Sequence, residues 1–292
     1  MQRPFIFLQI EYLQLCNVCR RRVIDMTIST FHPQDDHSLH LPRILCLHGG
    51  GSNARIFRAQ CRALRAELSH AFRFVFADAP FPSEPGPDVT SVFKNFGPYR
   101  RWLRSGPHQS YIPAREAVEK LEDALTMAMN ESDCQGATGE WVGVIGFSQG
   151  AKMAASLLLR QQVHSAKLGK IFAPFNFRFA VLIAGRAPLV SLDPYLLSDP
   201  ALLDASQFTM EQMPGFATKC KEENILRLPT IHVHGLKDPG LHLHQALLSD
   251  YCSEEARLVE WDGQHRVPIK TKDVLPVVDA ILDIAQATGV LR

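Results

Sequence analysis

The sequence predicts an α/β protein built on a mostly parallel sheet with helices on both faces, and three observations predict it. From residue 42 onward short apolar runs alternate with stretches of helical period, the pattern of strand–helix–strand crossovers. Several of those runs, RILCL at Arg43–Leu47 and FAVLIA at Phe179–Ala184 among them, read as buried strands. And 292 residues, 46% hydrophobic and 21% charged, suffice for a sizeable core without covalent staples.

Taken in order, Arg43–Leu47 is the first strong strand, followed by a glycine-rich loop and a helix from about Ala54 to Leu68. Phe72–Ala77 (FRFVFA) is the second strand. Pro113 opens a helix whose apolar face is Val118, Leu121, Leu125 and Met129, spaced three and four apart. Trp141–Ile145 is a strand running into a second glycine-rich turn. The helix after it carries Ala151, Ala154, Ala155 and Leu158, small enough to lie close on a sheet. Strands follow at Phe179–Ala184, Thr230–His234 and Leu258–Trp261, and Val274, Val277, Val278, Ile281 and Ile284 stripe a closing helix. Residues 78–112 and 186–228 are long and irregular for a compact domain, which marks them as lid-like insertions.

Thirty-one Lys and Arg against thirty Asp and Glu leave a net charge of +1, so nothing calls for a nucleic-acid or membrane-surface partner. No window approaches a membrane span. The apolar stretch Phe5–Ile10 is cut by Glu11 and followed by Arg20-Arg21-Arg22, and it lacks the apolar core and cleavage site of a secretory signal. Residues 1–25 therefore read as an extension outside the fold, with Met26 as an alternative start, and 26–292 as a single domain. Seven cysteines include one close pair, Cys16-x-x-Cys19, with no second pair at zinc spacing. They read as reduced thiols of a cytoplasmic protein, Cys46 as part of the core.

Gly146-Phe147-Ser148-Gln149-Gly150 fits G-x-S-x-G, with a predicted strand entering it and a predicted helix leaving it. That is the nucleophile turn of the α/β-hydrolase fold, which lifts a serine hydroxyl above the sheet at a helix N-terminus. In this fold an acid and then a histidine follow the serine in chain order. Asp238 lies just past the strand at 230–234 and His265 just past the strand at 258–261, so both stand level with Ser148. Asp262, also in a post-strand loop, rivals Asp238. Of twelve histidines most have ordinary roles: His232 and His234 sit within a strand, and His242 with His244 lacks a third metal ligand at a known spacing. No metal site is expected.

Leu47-His48-Gly49-Gly50-Gly51-Ser52-Asn53 resembles the HGGG-type oxyanion loop of lipases and esterases. The amides of Gln149 and Gly50 are the expected donors, with Gly51 the alternative to Gly50. The loop has neither the Gly-Lys-Ser/Thr ending of a phosphate loop nor the spacing of a dinucleotide site.

LPRILCLHGGGSN, FADAPF, YRRWL, GFSQGA, HGLKDP and GQHRVP together resemble the fungal serine-hydrolase family over roughly residues 42–286, and within it the stand-alone esterases and thioesterases found beside fungal polyketide synthases. GFSQG alone is shared with acyl-protein thioesterases and carboxylesterases, whereas its combination with YRRWL is more specific. The resemblance implies Ser148, Asp238 and His265 as triad, Gly50 and Gln149 as oxyanion hole, and a small-molecule or carrier-bound acyl substrate, with a polyketide synthase as partner.

The expected chemistry is acyl transfer to water through an acyl-enzyme, which needs no cofactor. The long segments carry Phe81, Phe93, Phe96 and Trp102, then Leu189, Leu196, Leu197, Phe208, Met210 and Phe216. Of these Phe81, Trp102 and Phe216 are the expected walls of an apolar acyl pocket, although any one of them is equally read as a loop anchor. Tyr99-Arg100-Arg101 reads either as a loop fastener or as a contact for a polar substrate end. A peptidase with the same triad and a non-catalytic binding protein on the same fold remain the rival readings.

Overall fold

The computed structural model of the chain describes residues 36–87, 89–207 and 219–292. The 1–25 extension, Cys16 and Cys19, and Phe208, Met210 and Phe216 of the second long segment lie outside the described residues.

In chain order the elements are β1 (Arg43–Leu47), α1 (Ala54–Gln60), α2 (Arg62–Leu68), β2 (Arg73–Ala77), β3 (Phe81–Pro82), α3 (Thr90–Phe93), β4 (Arg100–Arg101), α4 (Ala114–Cys134), β5 (Trp141–Phe147), α5 (Gln149–Leu168) and β6 (Phe179–Ile183). They continue with β7 (Val190–Ser191), β8 (Leu203–Asp204), β9 (Thr230–Gly235), α6 (Leu241–Tyr251), β10 (Arg257–Trp261) and α7 (Thr271–Ala287). Six strands form one sheet in the order β10-β9-β6-β5-β1-β2, parallel at every pairing. This is the α/β-hydrolase architecture.

Alternation along the strands divides the core into two. Leu45 and Leu47 of β1 face a cluster completed by Leu121 and Leu125 of α4, Ala154 and Leu158 of α5, and Leu247 and Tyr251 of α6. Ile44 and Cys46 face the opposite cluster, with Phe57 of α1, Leu64 and Leu68 of α2, and Val277 and Ile281 of α7. Central strands β1 and β6 are buried along their whole length, as a strand covered on both faces must be. Strand β10, at the edge, is nowhere fully buried and alternates half-buried with exposed residues. Burial pushes the Cys46 thiol well above its ordinary range, so it stays a protonated core side chain.

The single helix expected at Ala54–Leu68 is two. Cys61 leaves the helical region at φ −81° and ψ 9°, and the kink keeps Phe57, Cys61, Leu64 and Leu68 on the sheet together. The long segments are not structureless either. β3 and β4 pair antiparallel, and β7 and β8 pair parallel, each with only two residues a side. Among the described residues no helix is long and apolar enough to cross a membrane.

Strand order places the site. From β1 the chain steps outward to β2 and returns to the other side of β1 at β5, so the loops after β1 and β5 meet at a topological switch point. In open parallel sheets that crevice, outside the carboxyl ends of the strands, is where ligands bind.

Candidate active site

Ser148 lies between β5 and α5 with φ 53° and ψ −115°, a backbone conformation that side chains with a Cβ rarely adopt. The surroundings hold it there. Its amide donates to the Ile183 carbonyl of β6 at 2.8 Å, and its carbonyl accepts from Ala151 at 3.0 Å in the first turn of α5. Glycine is required two residues to either side for lack of space. A Cβ on Gly146 would stand 2.2 Å from the Gly150 carbonyl oxygen, and one on Gly150 would stand 2.0 Å from that of Leu47.

The loops after β9 and β10 are fastened to each other. Leu236 donates to Trp261 at 2.9 Å and Lys237 to Gly263 at 2.8 Å. This pairing brings His265 between Ser148 and Asp238: its Nε2 is 2.9 Å from Ser148 Oγ, and its Nδ1 is 2.5 Å from Asp238 Oδ2. The proton belongs on Nδ1, because the ionised carboxylate can only accept. Nε2 then presents its lone pair to the serine hydroxyl. Asp262 does not compete, since it is exposed and pairs with Lys237 at 2.6 Å.

Asp238 is fully buried, which on its own raises its pKa, but the Gly240 amide at 2.8 Å, the His265 hydrogen bond and the nearby imidazoles more than offset that. The net shift is downward, so the group is a carboxylate at neutral pH. Arg186 adds a positive charge, with Nη2 3.5 Å from Asp238 Oδ1 and 3.4 Å from His265 Nδ1. On the other side of the carboxylate stands His244, its Nε2 3.3 Å from Asp238 Oδ2. Donor atoms of Asp238, His244 and His265 all lie within 4.8 Å of one another. The 2.5 Å contact between Nδ1 and Oδ2 leaves no room for an ion between them, since two ligands bound at about 2.0–2.2 Å sit roughly 3 Å apart or more.

The loop after β1 supplies candidate oxyanion donors. The Gly51 amide is engaged by the Arg100 carbonyl at 2.9 Å, whereas no described acceptor takes the Gly50 amide. Of the two glycines, Gly50 is therefore the one with a donor to offer. Gln149 is the first residue of α5, where a helix amide has no partner within the helix. Its side chain does something separate. Oε1 accepts from Trp102 at 2.7 Å and Leu103 at 3.2 Å, and Nε2 donates to the Leu103 carbonyl at 2.9 Å. His48 is equally structural. Its Nε2 accepts from the Ala79 amide at 3.0 Å, leaving Nδ1–H for the Gly49 carbonyl, and burial lowers its pKa to about 4.

A cleft of about 1050 Å³ opens over these groups, and Ser148, His265, Gly50 and Gln149 all line it. Two expected wall residues are not there. Trp102 is fully buried and donates its indole N–H to the His48 carbonyl at 2.8 Å, the kind of partner a buried indole needs. Phe81 is buried in β3 with the Arg101 guanidinium 5.2 Å over its ring. Both are anchors of the loop, and Phe216 lies outside the described residues. Leu189 and Leu197 are core, and Phe93 alone of the described candidates lines the cleft, joined by Val89, Val92, Leu103 and Leu203. Tyr99-Arg100-Arg101 is a fastener. The Tyr99 hydroxyl donates to the Lys94 carbonyl at 2.7 Å, and the Arg100 amide to Ser52 at 2.7 Å.

Sequence reasoning missed Arg186, His244, the Gln149 side chain and Lys152. The last lines the cleft one turn beyond Ser148, where burial first and Arg186 second push its ammonium down to about 8.

The sequence is similar to known proteins. Over 257 residues the sequence is 61% identical to the probable esterase tazC of Aspergillus terreus, covering 88% of this chain and 97% of that protein. Over 264 residues it is 58% identical to the esterase pigG of Monascus ruber, covering 88% and 96% respectively. Among solved structures, Zea mays acyl-protein thioesterase 2 aligns with a TM-score of 0.48 at 18% identity, over 87% of this chain and 96% of that one. The model of the serine hydrolase (FSH1) family matches residues 38–277, and the chain belongs to that family.

Proposed function

We propose that this serine hydrolase cleaves carboxylic esters through an acyl-enzyme on Ser148. One observation carries the assignment of roles: the unbroken hydrogen-bond path from Asp238 through His265 to Ser148, at 2.5 Å and 2.9 Å. His265 Nε2 accepts the hydroxyl proton as Oγ bonds to the ester carbonyl carbon. The carbonyl oxygen becomes an oxyanion facing the Gly50 and Gln149 amides, the kind of stabilisation that usually supplies the largest share of such catalysis. The tetrahedral centre collapses, the C–O bond to the leaving group breaks, and the imidazolium returns its proton to the departing oxygen. Water then attacks the acyl-enzyme by the same route and frees Ser148. Asp238 keeps the imidazole in the required tautomer throughout.

The finer reading is a hydrophobic acyl group, supported by Val89, Val92, Phe93, Leu103 and Leu203 along the cleft. Resemblance to the esterases and thioesterases found beside fungal polyketide synthases extends this to small or carrier-bound acyl substrates of secondary metabolism, thioesters among them. A cytoplasmic setting suits the buried cysteines Cys46, Cys61, Cys220 and Cys252, which the fold keeps as thiols.

A fluorophosphonate probe tests the core claim. Wild-type protein is expected to label stoichiometrically and Ser148→Ala not at all; unlabelled wild type would support a binding protein instead. Activity on p-nitrophenyl esters is expected to rise with acyl length beyond acetate, and a strict acetate preference would remove the apolar-pocket reading.

A further inference from the structure

Charge is unevenly placed around the cleft. Among the described residues eight Lys and Arg line it against three Asp and Glu, while the whole chain is close to balance, thirty-one against thirty. Half of the cationic groups stand on one rim: Lys237, Arg266, Lys270 and Lys272, with only Asp262 and Asp273 among them. Lys237, by hydrogen bond and charge, then Lys272 and Lys270 hold the Asp262 carboxyl below its usual range, so all three cations lie within electrostatic reach of that one carboxylate. A cleft lined by one sign concentrates ligands of the other.

Reaction chemistry says which part of a substrate meets this rim. The imidazolium that protonates the departing atom must stand over the leaving group, not over the acyl chain. Arg266 follows His265 directly, Lys270 and Lys272 stand where the same loop enters α7, and Lys237 precedes Asp238 in the loop fastened to it. We infer that the leaving group carries a negative charge, a carboxylate or phosphate on the alcohol or thiol side of the scissile bond, and that this rim binds it. The inference rests on the esterase reading above and adds the substrate's polarity: apolar acyl side, anionic leaving side.

Two matched ester pairs decide it. The first shares the acyl chain and differs in the leaving phenol, 4-carboxyphenyl butyrate against 4-(methoxycarbonyl)phenyl butyrate. The second shares the leaving phenol and differs in the acyl chain, mono-p-nitrophenyl glutarate against p-nitrophenyl valerate. Rates are normalised to hydroxide-catalysed hydrolysis of each ester. The anionic leaving group is expected to gain about tenfold in kcat/KM at low salt, with most of the gain lost at high salt, and the anionic acyl group to gain nothing. Lys270→Glu combined with Lys272→Glu is expected to bring the first ratio to one or below. Equal rates within the first pair at low salt, or a gain confined to the second, overturns the inference and leaves the esterase reading standing. No turnover of any of the four esters overturns both.

Discussion

His244 and Asp238 meet with Nε2 3.3 Å from Oδ2, and neither side chain has any exposure. Two imidazoles therefore share one carboxylate, His265 at 2.5 Å and His244 further away. Burial, above all, lowers the His244 pKa to about 4, so it is a neutral dipole at physiological pH. Its proton belongs on Nε2, because a lone pair there would face the carboxylate oxygen and be repelled. His244 lies beside Asp238 as a neutral ring without a hydrogen bond to it. Replacing Asp238 by Asn, which removes the orienting charge, is expected to lower kcat by about 10⁴. His244→Leu, which forfeits one long contact, is expected to cost about tenfold or less. Steady-state kinetics on one ester compares the two, and equal losses would show that His244 carries as much of the orientation as the acid.

Acid sensitivity follows from the histidines as a group. Burial lowers His48, His234 and His244 to about 4 and His232 to about 3. Unfolded, each titrates near 6.5. Above that pH both states are neutral and the fold keeps its full stability. As pH falls from about 6.5 toward 4, the unfolded chain binds protons that the folded chain refuses, and stability is lost at up to about 1.4 kcal/mol per pH unit for each histidine. Asp238, depressed in the fold, acts lower down: its contribution is present above about pH 4 and disappears as pH drops through its folded value. Urea midpoints at pH 7.5, 6 and 5 are expected to fall steadily, and a flat series contradicts the neutral, buried state of these rings.

Gly150→Ala reverses a usual rule. In an exposed helix interior the change stabilises by about 1 kcal/mol. Here the added Cβ would stand 2.0 Å from the Leu47 carbonyl oxygen and 2.6 Å from that of His48, both backbone atoms that cannot step aside. The expected outcome is a fall in Tm of about 10 °C or failure to accumulate as soluble protein, equivalent to roughly 3 kcal/mol or more. A raised Tm would show that β1 and α5 can separate freely.

Gln149→Ala keeps the backbone amide facing the cleft but removes three hydrogen bonds that hold Trp102 and Leu103. It is expected to cost about 2–3 kcal/mol in stability and to loosen the segment around residues 97–109. The loss in kcat/KM is expected to be near tenfold, well short of the effect of losing an oxyanion donor. Limited proteolysis of that segment, read beside kinetics, separates the two contributions.

What the sequence made legible has a common physical basis. Buried parallel strands are runs of apolar residues, so β1, β5, β6 and β9 could be read with ends displaced by no more than two residues. The convergence of Ser148, Asp238 and His265 could be read because each stands in the loop or turn within four residues of the end of a strand, and parallel strands end at one level. Side-chain direction was not legible. Phe81 and Trp102 sit in a loop without periodicity, and only tertiary partners, the Arg101 guanidinium and the His48 carbonyl, decide that they turn inward. The choice of Gly50 over Gly51 depends on the distant Arg100 carbonyl, and no local spacing announces it. His244 looked like half of an incomplete metal pair because its real neighbour, Asp238, lies across the turn that opens α6.

The imidazole that meets Ser148 is borne on a loop that follows the outermost strand of the sheet. β10 has a neighbour on one side only and no residue wholly hidden from water. Such margins come undone first when a fold is warmed. On the proposed mechanism heat should thus silence the molecule while its interior is still intact: Ser148 stays on its elbow, deep in the middle of the sheet, after the imidazole has drifted out of reach.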